Sequence, residues 1–155
     1  MATESTPARI VVRRVAESDI DALVSLCAQH ARYERAGYDA LGKADSLLRA
    51  IRAARLHVWI ALRIDEPIGY ASATVEYSTW VAAEYLHMDC LFVREGERGA
   101  GIGAALFASV IGFARECGCA QIQWQTPAWN EDAVRFYRRR GATGVEKIRF
   151  SLPVA

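Results

Sequence analysis

Tyr85-Leu86-His87-Met88-Asp89-Cys90-Leu91-Phe92-Val93, the polar run Arg94 to Arg98, and Gly99-Ala100-Gly101-Ile102-Gly103 together decide the fold. The apolar run predicts a strand over Glu84–Val93, and Arg94 to Ala100 predicts a glycine-rich loop. A helix follows from Gly101 to Cys117, with Ile102, Leu106, Ser109, Val110, Phe113 and Cys117 as its buried stripe. Gly118 ends it, and Ala120–Thr126 predicts another strand. Strand, helix and strand make a βαβ unit with parallel strands and a right-handed crossover. In the loop, glycine stands at alternate positions 99, 101 and 103. Glycine lets the backbone approach a ligand and take positive φ. The free N–H groups and positive dipole end of a helix start attract an anion, and Arg98 adds a forked cation suited to phosphate. No Gly-Lys-Ser/Thr ending is present, the spacing is not Gly-x-Gly-x-x-Gly, and no βαβ unit precedes the loop. This is therefore not a nucleoside-triphosphatase loop, and the pattern argues against a dinucleotide fold. By themselves, the glycines are also compatible with a tight turn and close helix packing.

Upstream, Arg9–Val15 predicts a first strand. Ser18 caps a helix to about Arg35, with Ile20, Leu23, Val24, Cys27 and Ala31 at helical spacing. Gly37 to Gly42 breaks the pattern before a second helix over Ala44–Ala54. The period then changes to two: Val58, Ile60, Leu62 and Ile64 alternate through His57–Ile64. Asp65-Glu66-Pro67 predicts a turn and Ile68–Tyr77 the returning strand, with Ser78 to Ala83 connecting to the central strand. Downstream, Asn130 caps a helix that runs through Arg140, with Glu131 and Asp132 in its first turn. Gly141 stops it, and Lys147–Leu152 predicts a last strand. The fold class is a mixed α/β sheet with helices on both faces.

The chain has 155 residues, enough for one domain with one core, and its hydrophobic (52%) and charged (24%) fractions are those of a globular protein. A loose tail over Met1–Ala8 and a single domain over residues 9–155 are expected. Nineteen basic and eighteen acidic residues nearly cancel, so no global field recruits nucleic acid or an anionic membrane. No apolar run approaches the roughly 20 residues needed to span a bilayer, and no signal peptide is legible; a cytoplasmic protein is expected. Cys27, Cys90, Cys117 and Cys119 lack zinc-ligand spacing and read as structural thiols, so no metal is expected. Arg138 to Arg140 read as a solvated helix end that complements the C-terminal dipole.

Arg98 to Gly103 matches the Arg/Gln-x-x-Gly-x-Gly/Ala signature of the GNAT acetyltransferase superfamily. Tyr85 to Val93 resembles that family's central strand. Trp129-Asn130-Glu131-Asp132-Ala133-Val134-Arg135-Phe136-Tyr137-Arg138-Arg139-Arg140-Gly141-Ala142 resembles its second conserved block. Within the superfamily the chain is most similar to the diamine (spermidine/spermine) N-acetyltransferase-like branch, through Ala31-Arg32-Tyr33-Glu34, Tyr77-Ser78-Thr79-Trp80 and the Asn130–Ala142 block. It departs where that branch tends to carry Leu-Glu-Asp: here Leu86 is followed by His87-Met88-Asp89.

The resemblance implies a mostly antiparallel sheet in which the central strand splays from the next, parallel strand. It implies acetyl-CoA as co-substrate, its pantetheine arm pairing with backbone groups of Leu91, Phe92 and Val93. Its pyrophosphate is held by N–H groups of Arg98, Gly99, Ala100, Gly101, Ile102, Gly103 and Ala104, with Asn130 and Phe136 contributing from the second block. The implied reaction is direct attack of an amine on the thioester. The amine must lose a proton, the carbonyl must be polarised, and the leaving thiolate must be protonated or stabilised. Tyr137 matches the family tyrosine near the sulfur and is the implied general acid. Asp89 and His87, two residues apart and so on one face of the strand, are candidate proton acceptors, directly or through water. Each also has an ordinary structural reading. Tyr33, Glu34, Asp39, Tyr77 and Trp80 are candidates to shape the acceptor pocket. The expected acceptor is a small primary amine such as a polyamine, an amino acid or an amine-bearing drug. A protein N-terminal or lysine acetyltransferase and a non-catalytic acetyl-CoA sensor are the alternatives. The family also implies a homodimer, for which the Ser78–Glu84 connection and the last strand are candidates.

Overall fold

The structure is a computed structural model and describes residues 9–155; the expected tail over Met1–Ala8 lies outside the described residues. The described residues fall into two compact units, divided between Trp124 and Gln125.

The first unit is a five-stranded sheet in sequence order, β1 (Ile10–Arg14), β2 (His57–Arg63), β3 (Glu66–Ser78), β4 (Ala83–Val93) and β5 (Ile122–Gln123). The first four strands are antiparallel to their neighbours and β5 is parallel to β4. Helices α1 (Ile20–Tyr33) and α2 (Lys43–Arg52) precede β2, and α3 (Ile102–Glu116) joins β4 to β5. Every residue from Val58 to Leu62 is buried, because β2 is covered on both faces. Val58, Ile60 and Leu62 pack with Leu23 and Leu26 of α1. On the other face, the Trp59 ring lies 5.5 Å from Phe113 of α3.

Several boundaries differ from the expected ones, for identifiable reasons. Ser18 does not cap α1. Residues Glu17–Asp19 form a 3-10 turn in which the Asp19 carboxylate accepts the Ala16 N–H at 2.6 Å and pairs with Arg13. The β2–β3 turn is Ile64-Asp65 rather than Asp65-Glu66-Pro67. Both residues have positive φ, 46° and 62°, the handedness that a two-residue hairpin needs to match strand twist. Pro67 falls inside β3, beside a register shift at Ala61/Leu62, where a bulge tolerates the missing donor. On α3, Phe107 and Ala114 are buried, whereas Ser109, Phe113 and Cys117, expected in the buried stripe, are only partly so. Expected over seven residues, β5 has two.

The second unit contains α4 (Glu131–Arg138), capped as expected by Asn130, whose side-chain oxygen accepts the Ala133 N–H at 3.2 Å. Arg140 donates to the Phe136 carbonyl at 3.0 Å and so completes the helix end. The expected strand over Lys147–Leu152 is not formed. Ile148, Phe150 and Leu152 alternate but are at least 80% exposed. Alternation supplies two faces to a strand, yet only a neighbouring strand supplies its hydrogen bonds, and the described residues of this unit contain no strand.

Candidate active site

Along β4 the partner on one edge is continuous and the partner on the other is not. β3 pairs with it from Ser78↔Ala83 to Gly69↔Val93. β5 pairs only at Leu86↔Ile122 and His87↔Gln123. Beyond His87, no described strand meets that second edge. The two halves are divided by a bulge: Ser72 pairs with Cys90 and Ala73 with Met88, so Asp89 is the extra residue. After the bulge, the Arg94 N–H donates to the Ile68 carbonyl at 2.9 Å. Alternation in an antiparallel ladder then turns the backbone groups of Phe92 toward β3 and those of Leu91 and Val93 toward the open edge. Of the three residues expected to pair with an arm, Leu91 turns both backbone groups to the open edge and Val93 its N–H, since its carbonyl accepts from Arg98. Phe92 instead faces β3, where it pairs with Tyr70 and a Cβ added at the neighbouring Gly69 would stand 2.7 Å from its carbonyl oxygen.

The open half leads into the glycine loop. Gly99 and Gly101 take φ of 85° and 78°, values that L-residues with a Cβ rarely hold. Gly101 is the N-cap of α3 without a side-chain cap, and the first intrahelical bond is Ala105 N–H to the Gly101 carbonyl at 3.0 Å. The N–H groups of Ile102, Gly103 and Ala104 therefore precede the helical ladder. Helices α1, α2 and α4 carry acids in their first turns, whereas α3 carries none. An acid there would repel an anion, so the donor set and its charge fit a pyrophosphate. The Ile102 side chain is buried in the core, which leaves only its backbone for a ligand. Arg98 turns toward α1: its Nε donates to the Val93 carbonyl at 3.0 Å and its guanidinium lies 4.1 Å from the Tyr33 ring.

On the α1 face of β4, His87 Nε2 and Asp89 Oδ1 are 4.0 Å apart, so the two candidate proton acceptors do share a face. The Asp89 side chain is 60% exposed, and the Cys90 thiol donates to its Oδ2 at 3.6 Å. Burial pushes the Cys90 thiol up to about 12, which keeps it protonated and unreactive.

Beneath these residues lies a chain that joins Glu34 to two residues sequence reasoning missed, His30 and Tyr70. The His30 ring on α1 stacks on Phe92 at 5.0 Å. Its Nδ1 meets the Tyr70 hydroxyl at 2.9 Å and its Nε2 meets Glu34 Oε1 at 3.2 Å. Tyr70 is 2% exposed, and burial holds its phenol far above the ordinary range. Burial likewise lowers the His30 pKa, opposed by the nearby Glu34 carboxylate. The available signal was the His30-x-x-x-Glu34 spacing, which places both on one helix face.

The remaining candidates separate. Tyr33 and Glu34 end α1 near Phe92, whose ring is 6.4 Å from Tyr33. Tyr77 pairs with Glu84 at the far end of the hairpin, seven strand positions and roughly 23 Å from Tyr70. Trp80 is 96% exposed at the tip. Within one chain, Tyr77 and Trp80 do not join Tyr33 and Glu34 in one pocket. Asp39 accepts the Leu41 N–H in an exposed turn. Asn130, Phe136 and Tyr137 belong to the second unit, where the Phe136 and Tyr137 rings meet edge-to-face at 5.2 Å.

A splayed parallel pair, a bulged central strand and an acid-free helix start define an acyl-CoA-binding transferase fold. Residues 20–142 match the acetyltransferase (GNAT) family, and the chain belongs to it. It is an acyl-CoA-dependent N-acetyltransferase. A thialysine N-epsilon-acetyltransferase of Caenorhabditis elegans is 30% identical over 115 residues, which is 74% of this chain and 71% of that protein. A blasticidin-S acetyltransferase of Streptomyces morookaense is 37% identical over 101 residues, 61% of this chain and 71% of that protein. An aminoglycoside N-acetyltransferase solved in complex with CoA superposes with a TM-score of 0.83 at 17% identity, over all of both chains; that likeness concerns the fold. No helix among the described residues is long and apolar enough to cross a membrane.

Proposed function

We propose that this chain acetylates a primary amine on a small molecule, with acetyl-CoA as donor. The observation that carries the reading is the continuity of the open half of β4 with the acid-free start of α3. Acetyl-CoA supplies the thioester. The N–H and C=O groups of Leu91 and the N–H of Val93 align its arm as an added strand would, the Val93 carbonyl being held by Arg98. The N–H groups from Gly99 to Ala104 hold its pyrophosphate. Asn130 and Phe136 contribute from the second conserved block.

On the α1 face, Asp89 takes the amine proton, directly or through water, with His87 beside it as the competing acceptor. The phenol of Tyr137 donates to the leaving thiolate. The small-amine reading is supported by two relatives whose names specify small amine-bearing substrates. Glu34 and Tyr33 suit a cationic acceptor. The same reading takes the enzyme as a cytoplasmic homodimer. The exposed hairpin tip at Trp80 and the exposed alternating segment after Lys147 are its candidate contacts.

The test is thiol release from acetyl-CoA across polyamines, amino acids and aminoglycosides, with Tyr137→Phe as the variant. Turnover falls by about a hundredfold or more while calorimetric acetyl-CoA affinity stays unchanged. Unchanged turnover removes Tyr137 from the acid role, and no thiol release from any amine overturns the small-amine reading.

A further inference from the structure

The chemistry proposed above gives Glu34 a part in the acceptor site but none to the two residues behind it. Tyr70, His30 and Glu34 form a chain that runs from the core to the surface. Tyr70 is 2% exposed, the His30 side chain 13% and the Glu34 side chain 37%. Both ring nitrogens of His30 are engaged, at 2.9 Å and 3.2 Å, and its ring plane is fixed by stacking on Phe92 within 19° of parallel. A surface helix needs no such arrangement for stability. An exposed His-Glu pair at this spacing contributes only a few tenths of a kcal/mol, while burying an imidazole against a phenol requires every polar atom to find a partner.

The geometry assigns His30 as a positioning residue: clamped between the Tyr70 hydroxyl and the Glu34 carboxylate, it fixes that carboxylate on the acceptor side of β4 and links acceptor binding to its own protonation. This inference rests on the amine-acetylation reading. With His30 neutral, Tyr70 donates to Nδ1 and the Nε2–H donates to Glu34, which keeps its full negative charge for a cationic acceptor. With His30 protonated, the imidazolium cancels that charge. Tyr70 must then accept from Nδ1–H, and the sulfur atoms of Cys27 and Cys90 are the weak acceptors left for its own proton.

The groups facing His30 are Glu34 from α1, Tyr70 from β3, Asp89 from β4 and Arg98 from the glycine loop; the thiols of Cys27 and Cys90 face Tyr70. Burial favours the neutral ring. Acceptor affinity is therefore full at neutral pH and declines as acid protonates His30. The affinity for acetyl-CoA, which is held on the open edge and the α3 start, does not follow it.

The experiment compares wild type, H30Q, H30A and E34Q. KM for spermidine and for acetyl-CoA is measured against pH, and the His30 imidazole is titrated by NMR, where only three histidines need assignment. At neutral pH, H30A raises KM for spermidine about three- to tenfold with acetyl-CoA KM unchanged. H30Q, which keeps a side-chain donor, recovers most of that loss. In acid, KM for spermidine rises in wild type and stays flat in H30Q. In E34Q the His30 midpoint falls by a further half unit or so, because the opposing carboxylate charge is gone.

Parallel acid limbs in wild type and H30Q overturn the inference. So does a His30 midpoint that is the same in E34Q as in wild type, a readout that needs no turnover and no stable His30 variant. Failure of the amine-acetylation reading is a separate result: no thiol release with spermidine, lysine or an aminoglycoside. In that case the imidazole titration still decides whether Glu34 and His30 are coupled.

Discussion

The two halves of β4 share β3 as one neighbour and differ in the other. From Ala83 to His87 the strand reaches a second neighbour at Leu86 and His87; from the bulge at Asp89 to Val93 it has none. An unpaired edge inside a sheet is ordinarily a liability that proteins cover or blunt. Here the divergence from β5 leaves backbone donors and acceptors on offer at the point where α3 begins. The lesson is that paired backbone builds the sheet, while the unpaired half is the part available for a ligand.

The largest expected effect tests the residue that divides the halves. Asp89→Asn lowers kcat/KM by about a hundredfold, whereas His87→Ala lowers it far less. The opposite pattern makes His87 the base, and no change in either variant moves the base elsewhere.

Next is a substitution confined to the open edge. Val93→Pro removes an N–H that faces away from β3, so acetyl-CoA affinity drops about tenfold by calorimetry. The melting temperature changes less than in Phe92→Pro, which loses a β3-facing donor and a buried ring. Equal melting losses would break the distinction between the halves.

A smaller effect comes from the β3 side. In Gly69→Ala the new Cβ meets the Phe92 carbonyl, 2.7 Å away in the present geometry. A stability loss of about 1–3 kcal/mol in urea titrations is expected, with weaker acetyl-CoA binding because the open half must shift. A neutral outcome means that β4 yields without cost.

The smallest effect concerns pH. Burial lowers the pKa of His30 and of His57 below the ordinary imidazole value. The unfolded chain therefore binds these protons first. Their contribution to stability is complete above the ordinary value, about 6.5, and is lost as pH falls from there through the folded values. Melting temperature declines across that acid range in wild type and declines less steeply in H30Q.

Much of this was legible because it is written locally. The βαβ unit followed from apolar periods. The expectation of an anion site rested on Gly99, Gly101, Gly103 and Arg98, all within one short run. The cap at Asn130 followed from a side chain that reaches its own helix. The bulge at Asp89 was not legible, because a bulge is a mismatch between two strands and no glycine marks it in β4. The same limit hid the turn at Ile64, a β-branched residue in a left-handed conformation that strand twist imposes on it. The strand expected over Lys147–Leu152 shows the reverse error, since its alternation is clear but pairing is not a property of one segment.

The sequence by itself determined the order of the helices and of the first four strands, and where a helix would begin with bare N–H groups, because those depend on neighbours a few positions away. Only the tertiary structure decided that β5 leaves β4 after His87, that Asp89 is the odd residue between two registers, and that His30 meets Tyr70 forty positions along the chain. These depend on which surfaces pack and which backbone groups find partners, and that balance is struck only when the whole sheet and its helices are assembled.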